Sequence, residues 1–159
     1  VYKRQTEHGI SSYGELESKL SAVSARRDTA HAEIKRIESR SAELTLVMKH
    51  AGTYRQLKPL YDRYRKSNDK EKFLRGHESE IILFEAAARE LKRLGAVPLP
   101  TTESMKTELA NLNAEKERLL AEYKAARTEA QEYETVKQNV DALLTVPKEQ
   151  EQQRRHELE

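Results

Sequence analysis

The side chains suited to acid–base or metal chemistry are five histidines, His8, His31, His50, His77 and His156, and a scatter of carboxylates. Two ligands share a helix face when they stand three or four residues apart, and no two of these histidines do. His77 falls on an apolar stripe, where a half-buried ring satisfied by its neighbours is the plain reading. Carboxylate pairs such as Glu115 with Glu122, or Glu129 with Glu132, lie on charged faces with no cleft to shift their pKa values. Gly76 and Gly95 are isolated, so there is no glycine loop to cradle a phosphate. The chain has no cysteine, which removes disulfides and thiolate metal sites and fits a reducing cytoplasm. The expectation is no catalytic residue, no metal and no cofactor.

Charge is the chemistry that remains. From Tyr54 to His77 there are eight basic residues against three acidic ones, interleaved with Tyr54, Tyr61, Tyr64 and Phe73. Glu103 to Glu134 is the reverse, with eight acidic and five basic residues. A basic tip with aromatics could hold DNA phosphates and stack exposed bases. The DNA-binding candidates are Arg55, Lys58, Arg63, Arg65, Lys66, Lys72 and Arg75. Against this, the same aromatics could form a local core while the basic side chains are simply solvated. The formal net charge of +2 gives no global pull toward nucleic acid.

The elements that must position these residues are helices. With 36% hydrophobic and 35% charged residues, two Phe and no Trp, the chain lacks the material for a thick core. It has a long narrow stripe instead. Tyr13, Leu16, Leu20, Val23, Arg27, Ala30, Ile34, Ile37, Ser41, Leu44, Met48 and Ala51 follow a 3-4 repeat without a slip. Met105, Leu109, Leu112, Lys116, Leu119, Tyr123, Ala126, Ala130, Tyr133, Lys137, Val140 and Leu144 form a second seam of equal length. Run antiparallel, Tyr13 faces Leu144, Val23 faces Tyr133, Ile34 faces Tyr123 and Ala51 faces Met105. Of the polar seam positions, Arg27 would reach Glu129, Glu132 or Glu134, and Lys116 would face Ser41; both fix register rather than do chemistry.

The predicted fold class is all-α, a long antiparallel coiled-coil hairpin with a shorter helical hairpin inserted at one end. At about 1.5 Å per residue, arms of about 39 residues span roughly 58 Å. The divisions are a leader at 1–10, a first arm at 11–52, the inserted hairpin at 53–97, the second arm at 98–146 and a frayed tail at 147–159. The repeat slips after Ala51 between Gly52 and Pro59, where a kink or short break should start a new helix running to about Lys66, giving four helical segments in all. Ser11 or Ser12, Asn68 or Asp69, and Thr101 or Thr102 are the N-cap candidates. The middle seam runs Leu74, His77, Ile81, Phe84, Ala88 and Leu91, and ends in a left-handed Gly95. No apolar run reaches the length of a membrane span. The opening VYKRQ is what the end of a transposon adapter for sequencing libraries would encode, so residues 1–5, within the 1–10 leader, read as a scar on a metagenomic reading frame truncated at its N-terminus.

The segments TYRQLKPLYDRYRKSNDKEKFLRGHESEIILFEAAARELKRLG, LPTTESMKTELANLNAEKERLLAEYK and YETVKQNVDALL resemble the C-terminal helical region of relaxase/mobilisation nucleases from conjugative elements of Gram-positive bacteria. The similarity covers nearly everything from Tyr13 to Leu144. It implies an upstream nuclease domain in which a tyrosine attacks a DNA phosphate and a histidine cluster binds the metal. None of that motif is in this chain, so no catalytic residue carries over and the chain itself is not an enzyme. The implied role is an accessory domain in conjugative DNA transfer, with DNA, relaxosome proteins or a second copy as partners. The alternative is a structural coiled-coil spacer or dimerisation module with protein partners only. Pairing of the arms within one chain or between two stays open at this point.

Overall fold

The computed structural model describes residues 12–158, with side chains through Leu144. The 1–10 leader, with His8, and the cap candidate Ser11 lie outside the described residues, as does the side chain of His156. Among the described residues there are three helices and no strand: α1 (Tyr13–Lys66), α2 (Lys70–Arg93) and α3 (Thr102–Leu158). The all-α class holds.

Each helix starts where a short polar side chain can take its first free amides. Ser12 Oγ accepts from the Glu15 amide at 3.1 Å, Asp69 Oδ1 from Lys72 at 3.1 Å, and Thr101 Oγ1 from Ser104 at 3.1 Å. At the end of α2, Gly95 takes φ 71°, and the Ala96 amide donates to the Leu91 carbonyl at 2.9 Å while the Gly95 amide donates to Lys92 at 3.1 Å. That is a Schellman stop, and it turns Ala96 inward next to Leu91, both buried.

The sequence predicts four helical segments, and the first two are one. α1 continues without a break through Pro59. Proline removes one backbone hydrogen bond and crowds the preceding turn at about 3 kcal/mol, but Tyr54 and Tyr61 on either side are both stacked on Phe84 of α2 and hold the helix across the defect. The interruption lies elsewhere: His77, inside α2, has φ −137° and ψ 26°, outside the helical range, directly after Gly76. α3 continues in helix to Leu158, beyond the Val146-Pro147 step where the second arm was expected to end. The Glu, Gln and Arg residues that follow Pro147 are good helix formers.

The chain divides into two compact units. One unites α1 up to Ile34 with α3 from Glu117 onward. Its core is Leu16, Val23, Ala126, Ala130, Tyr133 and Val136, with Tyr13, Leu20 and Val140 packed against it. The contacts run antiparallel, as the expected hairpin requires: Tyr13 reaches Asp141, Arg26 reaches Glu129, and His31 lies against Tyr123. The Tyr13 hydroxyl donates to Asp141 Oδ1 at 2.8 Å, which pushes its pKa up to about 12. Burial, then the charge of Glu129, raises the Tyr133 phenol as well. Three details differ from the expected seam. Leu144, expected opposite Tyr13, is 60% exposed, and Tyr13 reaches Asp141 one turn earlier instead. Val136 is buried and Lys137 half-buried, and Arg26, not Arg27, pairs with α3; Arg27 turns to Asp28 at 3.2 Å. A straight helix drifts by about 20° per heptad against a strict seven-residue repeat, so neighbours of the nominal seam rotate into it.

The other unit runs Lys35–Lys116 and holds the rest of α1, all of α2 and the start of α3. Ile37, Leu44, Val47, Ala51, Ile81, Phe84, Ala87, Leu91, Met105 and Leu112 are its buried apolar residues. Val47 and Ala87 take the places expected of Met48 and Ala88, which are half-buried. Here α1 meets two other helices, so its apolar face must be wider than a coiled-coil seam. Arg40 forks onto Glu108 at 2.7 and 3.1 Å, and Glu108 raises the arginine's pKa. Lys116 reaches Glu38 at 3.7 Å, its ammonium held by a carboxylate rather than lying free beside Ser41.

Candidate nucleic-acid interface

The basic stretch spans the last turns of α1, the Ser67–Asp69 turn and the start of α2, all within the Lys35–Lys116 unit. The turn is closed locally: Ser67 Oγ accepts from the Asp69 amide at 3.2 Å and donates to the Asp69 carbonyl at 3.1 Å. Arg63, Arg65 and Lys66 crowd the C-terminal turn of α1, where the helix dipole favours cations. Lys70 and Lys72 sit in the first turn of α2, where the same dipole disfavours them, although Glu71 between them offsets part of that. Helix stability therefore gives no reason for the second group of charges.

The aromatic residues of the stretch are largely engaged with one another. Tyr54 and Tyr61 stack on Phe84 with centroids 4.8 and 4.3 Å apart, Tyr64 tilts against Tyr61 at 5.8 Å and Phe73 at 6.0 Å, and Phe73 tilts against His77 at 4.6 Å. One connected cluster uses all five rings and the imidazole to pack α1 against α2. Phe84 is buried and the others are half-buried. The rings pack as the local core given as the alternative for the aromatics, with the edges of Tyr54, Tyr61, Tyr64 and Phe73 half-exposed. His77 faces Phe73 and lies 3.8 Å from Glu80, a packed position rather than a reactive one.

The seven basic candidates separate into two groups. The Arg55 guanidinium donates to Thr102 Oγ1 at 2.8 Å and to the Pro100 carbonyl, so it ties α1 to the α2–α3 connection. Lys58 pairs with Asp62 at 3.3 Å, one turn away on the same helix. Arg63, Arg65, Lys66, Lys72 and Arg75 are exposed, and their side chains make no ion pair or hydrogen bond with any described residue. Sequence reasoning could not separate the groups, because Arg55 finds its partners 45 and 47 residues away. Lys58 could have been read off its i,i+4 spacing to Asp62.

A groove between α1 and α2 is floored by Tyr54, Tyr61, Phe84 and Ala88 and rimmed by Lys58, Asp62, Arg65, Glu85 and Arg89. It mixes both signs of charge, so it is no anion cradle. Among the described residues no group of three or more His, Asp or Glu is placed to hold a metal ion, and no helix is long and apolar enough to cross a membrane.

The chain matches no protein-family model, no curated protein and no solved structure.

Proposed function

We propose that this chain is a non-catalytic accessory domain in conjugative DNA transfer, of the kind its sequence resembles, and that the α1–α2 end holds DNA through its phosphates. The observation that carries the reading is the set of five exposed basic side chains, Arg63, Arg65, Lys66, Lys72 and Arg75, that no acid among the described residues neutralises. Such charges gain most from a dense row of phosphates, whose condensed counterions are released on contact. With the aromatic rings committed to the core, contact is with the backbone, so the domain reads neither sequence nor single-stranded bases. A longer protein carrying a nicking domain would gain affinity and orientation from such an arm without any change in its chemistry.

The test is fluorescence anisotropy with a labelled duplex and a single strand of the same length. The reading expects binding at low salt that is independent of sequence and no tighter for the single strand. Changing Arg63, Arg65 and Lys66 together to Ala should weaken it severely. A protein that binds neither oligonucleotide at low salt leaves the structural spacer with protein partners as the function.

A further inference from the structure

In the run Ile81-Ile82-Leu83-Phe84, the first and last residues are buried in the α1–α2 packing, and the middle two are 55% and 56% exposed. On a helix, the side opposite Ile81, Phe84, Ala87 and Leu91 carries Ser79, Ile82 and Ala86, with Leu83 at one margin and Glu78 and Arg89 at the other. Glu78 and Arg89 are exposed and make no ion pair with any described residue. Between Glu78 and Arg89 the face is therefore apolar and small in the middle, with an acid at its N-terminal end and a base at its C-terminal end.

That polarity is self-complementary. We propose that α2 pairs with α2 of a second copy, antiparallel, about a two-fold axis beside Leu83. At one register, to within a residue, three matches coincide. Leu83 meets Leu83 of the second copy, Ile82 lies over the small Ala86, and Glu78 comes beside Arg89. Two-fold symmetry gives the last two matches twice, and large opposite small is how a helix seam fills. No other register brings the apolar pair together while also pairing Glu78 with Arg89. One helix pair buries less than the roughly 1,200–2,000 Å² of a standard stable interface, so the dimer is a micromolar one. It does not rest on DNA binding: the five free basic side chains at the α1–α2 end, Arg63 to Arg75, all precede Glu78.

The absence of cysteine makes the test clean. Leu83→Cys, at an exposed position that leaves the core untouched, should form an intermolecular disulfide on mild oxidation. Ser79→Cys should not, because nine residues separate the two copies of that position along the axis, about 13 Å at 1.5 Å per residue, where a bridge needs Cα atoms within about 7 Å. Sedimentation of the wild type should show a dimer near about 100 μM. Glu78→Arg should raise its dissociation constant about tenfold, and adding Arg89→Glu to it should restore the wild-type value, since two ion pairs are broken and then remade in reverse. A wild type that is monomeric at that concentration, a Ser79→Cys chain that links as readily as Leu83→Cys, or a charge reversal that is not rescued would each overturn the proposal.

Discussion

The ring of Tyr61 lies against that of Phe84, centroids 4.3 Å apart and planes 26° from parallel. This contact bridges α1 and α2 two residues beyond Pro59, and it turns the most prominent aromatic residues of the basic segment into packing. Phe84→Ala should therefore cost about 3–5 kcal/mol, the range for deleting a buried phenylalanine. Urea denaturation followed by circular dichroism reads that loss directly; a change under 1 kcal/mol would mean the ring cluster does not hold the helices together.

The same contact separates the aromatics from ligand binding. Replacing Tyr64 by Leu keeps an apolar side chain of the packing face while removing a ring. Oligonucleotide affinity should stay within about twofold, whereas a base stacked on such a ring is worth about 1–3 kcal/mol. Anisotropy titration of the variant decides; a loss of tenfold or more would return the aromatics to the interface.

Tyr13 supplies a pH signature. Its neutral phenol donates to Asp141, and its pKa rises from 10.0 to about 12. A folded pKa above the unfolded one means that the contribution is complete below pH 10 and is lost as pH rises through about 12. Absorbance titration near 295 nm should show a tyrosine that ionises late and disappears in Tyr13→Phe. If the difference between the two proteins titrates near pH 10, the hydrogen bond is not made in solution.

Gly95 tests the end of α2. An added Cβ would meet nothing within 4 Å, so the only obstacle to Gly95→Ala is φ 71°. The left-handed conformation costs an L-residue about 1–2 kcal/mol, and Gly95→Asn should lose less, because asparagine tolerates that region. Equal stability of all three proteins in thermal melts would show that the Schellman turn opens without consequence.

How much of this was legible depended on which residues carried it. Leu16, Val23, Ala30, Ile34, Ile37, Leu44, Ala51, Met105, Leu112, Leu119, Ala126, Ala130 and Tyr133 were on the two predicted seams, and all are buried. A repeat this regular states its own buried face, and the caps at Ser12, Asp69 and Thr101 follow from residue type alone. Pro59 misled because its local cost was visible and the rings of Tyr54 and Tyr61 on Phe84 were not. The departure at His77 had only Gly76 as a signal, and an isolated glycine in a helical pattern is weak evidence. Val47 was missed because a strict repeat picks one residue per turn while three packed helices bury a broader strip, and Val136 because a straight helix drifts off a strict seven-residue repeat. In the basic segment, composition located the excess charge, but only tertiary partners showed that Arg55 is committed to Thr102 and Pro100.

The most direct test of phosphate binding at the α1–α2 end is the salt dependence of duplex affinity for the wild type and for the protein with Arg63, Arg65 and Lys66 changed to Ala. Each phosphate contact contributes about 0.9 to the slope of log K against log salt concentration. Removing three should flatten that slope by about 2.7 and weaken binding by a similar factor on every duplex sequence. An unchanged slope, with affinity lost or kept, would contradict the account.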